Sequence, residues 1–228
     1  MTVNFIYKRC IYYVGLALVF FTVVFSFFYA VVLSRVSVYT IDKTFYFLVL
    51  EDTKLEVASY EVKLDGGAGV LLYHENRDYV ALSVYLSGEE GNKVYESILR
   101  KYKNAKMVKI NSGKLYMKRD SEKKLAKKIQ GGFNSLYGCI EVLEREISRL
   151  DKGATQQSSG RILSKIADNL LYLSKEYKND FKEFSNVCKN SANALNKSIS
   201  GIIYAKELRH ILCETCANFI KLSQEFPL

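Results

Sequence analysis

His210, Cys213 and Cys216 stand at i, i+3 and i+6, with Cys188 upstream. Two thiolates and an imidazole make a zinc-type donor set. That chemistry needs the donors to converge. On a straight helix, positions i and i+6 point well apart, whereas metal knuckles are formed on turns. The same residues serve as small apolar packers in a helical core, so neither a metal nor a cofactor is expected. His74 stands alone in an apolar run, and Glu89-Glu90 follows Ser87-Gly88 as a helix start rather than as paired acid and base. The chain carries no glycine-rich phosphate loop and no nucleophile elbow. No catalytic residue is assigned, and the protein is not read as an enzyme.

The elements that position these residues begin with Cys10–Leu33, 24 residues without a charged side chain, bracketed by Lys8-Arg9 and Arg35. As a helix this stretch is about 36 Å long against a hydrocarbon core of about 30 Å. Tyr12, Tyr13 and Tyr29 fall near its ends, where tyrosine favours the headgroup layer. The expectation is an uncleaved transmembrane helix over 10–33 and a single-pass protein of the cell membrane. Residues 1–9 are placed in the cytoplasm and the carboxyl-terminal part outside it, following the positive charge before the span.

Residues 34–43 read as a connector. Thr44–Leu50 (TFYFLVL) reads as a strand buried on both faces. A helix follows to about Leu64, with Leu55, Ala58 and Val62 on one face and Gly66, Gly67 and Gly69 as its stop. Val70–His74 and Tyr79–Tyr85 flank a polar turn as a hairpin. A second helix opens at Ser87 and runs to about Lys103, and Met107–Ile110 closes the unit as a fourth strand. The order β-α-β-β-α-β over 44–110 predicts a four-stranded antiparallel sheet with two helices on one face and the other face open.

Phe45–Ile110 resembles a SPOR domain, the sporulation-related repeat of the bacterial cell envelope. The first half of that pattern matches Phe47-Leu48-Val49-Leu50, Ala58 and Gly67-Ala68-Gly69-Val70; the second half matches Asp78–Tyr85 and then Ser87-Gly88-Glu89-Glu90. The resemblance implies a peptidoglycan-binding sheet acting in cell division or sporulation, with glycan strands as ligand. Leu48 stands where the family often has glutamine, Ala81 where it often has arginine, and Ser83 where it has glycine. With Tyr46 and Tyr79 on the same strands, the candidate glycan-binding set is Tyr46, Leu48, Tyr79, Ala81 and Ser83. Tyrosine can stack on a sugar ring and bond its edge. The loss of the amide and the guanidinium supports an alternative, in which a SPOR-like domain without a sugar ligand belongs to a membrane-tethered coiled-coil protein-interaction or assembly factor.

Residues 111–120 read as a basic linker, and 121–228 as helical or coiled-coil. Leu125, Ile129, Phe133, Leu136, Ile140, Leu143, Ile147 and Leu150 make a heptad seam. Gly131-Gly132 interrupts it at about 2 kcal/mol in helix propensity. The stripe from Ile162 to Ile199 repeats every eleven residues and predicts one nearly straight or slightly right-handed supercoiling helix. The tail is expected to be an α-helical hairpin or coiled coil that binds itself or a protein partner. The fold class is α+β. Net charge is +9, with twelve Lys or Arg between Arg100 and Lys128. The partners implied are membrane, glycan and protein; no nucleic acid is expected.

Overall fold

The computed structural model describes residues 20–27, 37–51, 54–117 and 123–224. Residues 20–27 are helical, with exposed side chains. Among the described residues no helix is long and apolar enough to cross a membrane. This corrects the expected transmembrane helix over 10–33 and the single-pass membrane placement built on it. The flanking parts of that stretch, 10–19 and 28–33, lie outside the described residues.

The fold is α+β. A four-stranded antiparallel sheet is built from β2 (Thr44–Leu50), β3 (Val70–His74), β4 (Arg77–Tyr85) and β5 (Ala105–Asn111), in the order β3-β4-β2-β5. Helix α1 (Leu55–Leu64) connects β2 to β3, and α2 (Gly88–Ile98) connects β4 to β5, which is the split β-α-β arrangement. Glycine stops α1 because Gly66 and Gly69 take φ of +89° and +59°. Glu75 and Asn76 also lie in the left-handed region, as a two-residue hairpin turn of type I′ requires.

The connector and the linker are not free chain. Ser37–Thr40 (β1) pairs antiparallel with Lys114–Met117 (β6) as a two-stranded ribbon beside the sheet.

The tail forms four helices: α3 (Lys123–Asp151), α4 (Gln156–Glu176), α5 (Lys182–Ile199) and α6 (Ala205–Gln224). Each packs on the next, and α3 also packs on α6, which closes an up-and-down bundle. The straight helix expected over 162–199 is instead broken at 177–181. Asn179 and Asp180 sit in that break; Lys128 pairs with Asp180 at 2.5 Å, and the Tyr177 hydroxyl donates to the Lys128 carbonyl at 2.7 Å. Phe181 and Phe184 then close on Phe133 and on each other, and Tyr177 on Phe184, as a ring cluster.

Helix α3 runs unbroken through Gly131-Gly132. The second glycine admits a neighbour: a Cβ at position 132 would lie 2.7 Å from the Tyr177 ring, while one at 131 meets only the Tyr177 hydroxyl at 4.0 Å. Opposite signs are therefore expected. Gly131→Ala should gain up to about 1 kcal/mol from helix propensity. Gly132→Ala should lose about 1–2 kcal/mol, as overpacking outweighs that gain. Urea midpoints measured side by side decide it, and two stabilising changes would contradict the packing.

Candidate functional site

Alternation along β2 and β4 decides where each expected glycan residue points. Leu48 and Leu50 face α1 and α2 with Val80 and Leu82, while Phe45, Phe47 and Val49 face the other way with Tyr79, Ala81 and Val84. A bulge intervenes: Leu48 pairs with Ser83 but Val49 pairs with Ala81, leaving Leu82 unmatched. An extra residue on one strand reverses its alternation beyond that point. Ser83 therefore shares the helix-side face with Leu48 and Tyr46. Tyr79 and Ala81 lie on the opposite face, so the structure does not bring the five together.

Nor is the second face open. Phe45 meets Tyr137 of α3 edge-on at 5.9 Å and Phe219 of α6 at 5.3 Å, and Phe47, Val49, Ala81, Val84 and Ile110 belong to the same buried cluster as the bundle core. Leu48, Tyr79, Ala81 and Ser83 are all buried. Tyr46, half-buried, lies against Gly88 at the start of α2, where a Cβ would come within 2.9 Å of its ring. Lys106 stands over the Tyr79 ring at 4.5 Å. Two continuous apolar strands, TFYFLVL and YVALSVY, carry the signal for this arrangement, because a sheet with one wet face alternates polar and apolar residues.

The bundle also fastens to the loops at one end of the strands, across the width of the sheet. Beside β3 and β4, Glu144 accepts from the Leu86 N–H at 2.9 Å, Arg209 donates to the Gly66 carbonyl at 3.4 Å, and His210 Nδ1 meets the Ala68 carbonyl at 2.7 Å. Beside β5, the Gly113 N–H donates to Ser223 Oγ at 3.0 Å and Gln224 donates to the Asn111 carbonyl at 3.2 Å.

Between α2 and β4 on one side and α3 and α6 on the other lies a cleft of about 590 Å³. Its walls are mainly apolar, with Val84, Val94, Ile98, Ile147 and Leu212 among them. Burial holds the Glu144 carboxyl above its usual range, and Glu90 and Glu141 nearby push it the same way. Burial likewise pushes up the Tyr85 hydroxyl, with the Ser83 hydroxyl acting in the opposite sense, although Ser83 Oγ is enclosed and makes no hydrogen bond of acceptable geometry. Arg209 clasps both oxygens of Asp151 at 2.6 Å. Lys101 and the Tyr102 hydroxyl hold Asp65 below the usual carboxylate range. The cleft's chemistry is thus charge pairing and desolvation among the described residues that line it.

His210 is spent on Ala68, while Cys213 and Cys216 are fully buried inside the bundle. Burial pushes both thiols up, and lifts Cys139 to about 11 and Cys188 to about 12. Among the described residues no group of three or more His, Cys, Asp or Glu is placed to hold a metal ion. The basic block is dispersed: Lys101, Lys106 and Lys128 pair with Asp65, Glu51 and Asp180 respectively.

A second cavity of about 740 Å³ lies where the ends of α1 and α5 meet the start of α6. Its exposed Ile202 had no signal in periodicity, because it lies in a short interhelical loop at 200–204. The chain matches no protein-family model, no curated protein and no solved structure.

Proposed function

We propose that this protein is a non-enzymatic docking module, in which a SPOR-like sheet is built onto its own helical bundle and the ligand is a partner protein rather than glycan. One observation carries the reading: the sheet face opposite α1 and α2 is occupied by α3 and α6, through Phe45, Tyr137 and Phe219. A sugar reader needs accessible donors and acceptors beside an aromatic platform. Here Tyr79 and Ala81 are core, and their face is apolar contact with the bundle. The bundle's seam is equally consumed within the chain, since Ile129, Phe133, Leu136, Ile140 and Leu143 are buried there. Docking therefore falls to the outer surfaces.

The test is sedimentation of the full chain with purified cell-wall sacculi stripped of stem peptides. The protein is expected to stay in the supernatant, and Tyr79→Ala is expected to lower thermal stability without changing that distribution. Sedimentation of the wild type that is lost in a folded Tyr46→Ala variant would overturn the reading in favour of glycan binding.

A further inference from the structure

We propose that the groove between the end of α1, the end of α5 and the start of α6 is the docking site for an acidic amphipathic helix of a partner protein. The proposal deepens the docking reading and rests on it. Two features of the groove point to the same occupant.

The first is a built-in apolar surface. Leu64 at the end of α1 is 67% exposed and Ile202 is 65% exposed, and both line the groove with Ala194 and the buried Ile211. The exposure of Ile202 is held in place. Its neighbour Ile203 is buried, and Gln156 at the start of α4 clamps the Ile203 backbone twice, donating to the carbonyl at 3.0 Å and accepting from the N–H at 2.8 Å. With one isoleucine fixed inward, the other is presented outward on a rigid loop. Side chains so presented match a helix that supplies apolar residues at i, i+3, i+4 and i+7.

The second feature is charge. Lys63, Lys197 and Lys206 line the same groove, and none of them pairs with a carboxylate among the described residues. Lys206 lies over the Tyr204 ring at 5.7 Å. Some lysines elsewhere on the surface do find acids, as Lys93 does with Glu89 and Lys101 with Asp65; what marks the groove is that three lysines gather around one apolar floor. Among the described residues the one carboxylate lining the groove is Glu207, which accepts from Ser198 at 3.4 Å. Three ammonium groups around an apolar floor complement a partner with carboxylates flanking an apolar stripe. A small free anion would satisfy the lysines and leave Leu64 and Ile202 in water.

The probe is a fluorescein-labelled synthetic helix with leucine at i, i+3, i+4 and i+7 and glutamate on its flanks, titrated with the full chain and read by anisotropy. A scrambled peptide of the same composition is the control for net charge. Saturable binding is expected, weakened about tenfold or more by Ile202→Ser and by the pair Lys197→Glu with Lys206→Glu. The pair Lys178→Glu with Lys182→Glu makes the same charge change at the opposite end of α5, more than about 20 Å away along that helix, and should shift the affinity less than about twofold. All these positions are exposed, so unchanged circular dichroism melting is expected to accompany the loss. Absence of saturable binding, equal binding of the scrambled peptide, or equal loss from the two charge-reversal pairs would overturn the assignment. So would groove-dependent binding of anionic lipid vesicles or single-stranded DNA in place of the peptide. The two failures separate: retention on stripped sacculi defeats the non-glycan reading, whereas a negative titration defeats the groove whatever the sacculi show.

Discussion

Phe133→Ala is expected to cost about 3–5 kcal/mol and to lower the thermal midpoint by at least about 6 °C. Phe133 is fully buried on α3, with ring centroids 5.3 Å from Phe184, 6.1 Å from Phe181 and 5.0 Å from Phe219. Phe219 in turn lies 5.3 Å from Phe45 of β2. One ring therefore joins the α4–α5 turn, helix α6 and the sheet. Its removal opens a cavity that no single layer can close, because each neighbour is held by another element. The sheet's second face is the floor of the bundle, so the loss should be shared by both. A single cooperative urea transition, shifted to lower concentration with its slope unchanged, is the expected result. Two separate transitions would mean that 44–110 and 121–224 fold as independent domains and that the shared core is not energetically continuous.

The reach of the sequence can be judged at particular residues. The β-α-β-β-α-β order was legible because it is written locally: glycines at 66 and 69 where positive φ is required, and apolar runs of strand length. The heptad seam from Ile129 to Ile147 was legible for the same reason, and those positions are buried. What each face meets is a long-range fact. Strand β2 reads as buried on both sides, which sits badly with an open sheet face, and the structure resolves the conflict by covering that face with α3 and α6. The bulge at Leu82 changes which side Ser83 takes, and no residue type announces it. The eleven-residue stripe concealed the break at 177–181 because Tyr177, Phe181 and Phe184 remain apolar and buried on both sides of the turn. Ile202 and Ile203 are the same residue type; only the Gln156 clamp tells the outward one from the inward one.

Alkaline pH is expected to destabilise the protein steeply from about pH 9 upward, by about 1.4 kcal/mol per pH unit for each buried thiol. Cys139, Cys188, Cys213 and Cys216 are all free and buried, and burial raises every one of them above the ordinary value of 9.0. A group whose pKa is higher in the folded chain keeps its proton longer there than in the unfolded chain. Below the unfolded value both states hold the proton and the thiols cost nothing. Above it the unfolded chain ionises first, and stability falls until the folded pKa is reached, at about 11 for Cys139 and about 12 for Cys188. Tyr85, Tyr137 and Tyr177 are raised by burial as well and act in the same direction. Urea midpoints at about pH 7 and about pH 10 measure the loss, and Cys188→Ala should recover about 1 kcal/mol of the difference between them. Native-state alkylation offers an independent reading, since an enclosed, protonated thiol reacts only when the bundle opens. Stability that stays flat between those two pH values, or rapid alkylation of Cys139, Cys188, Cys213 or Cys216 in the native protein at neutral pH, would mean that the four cysteines are not the enclosed packers of the bundle core.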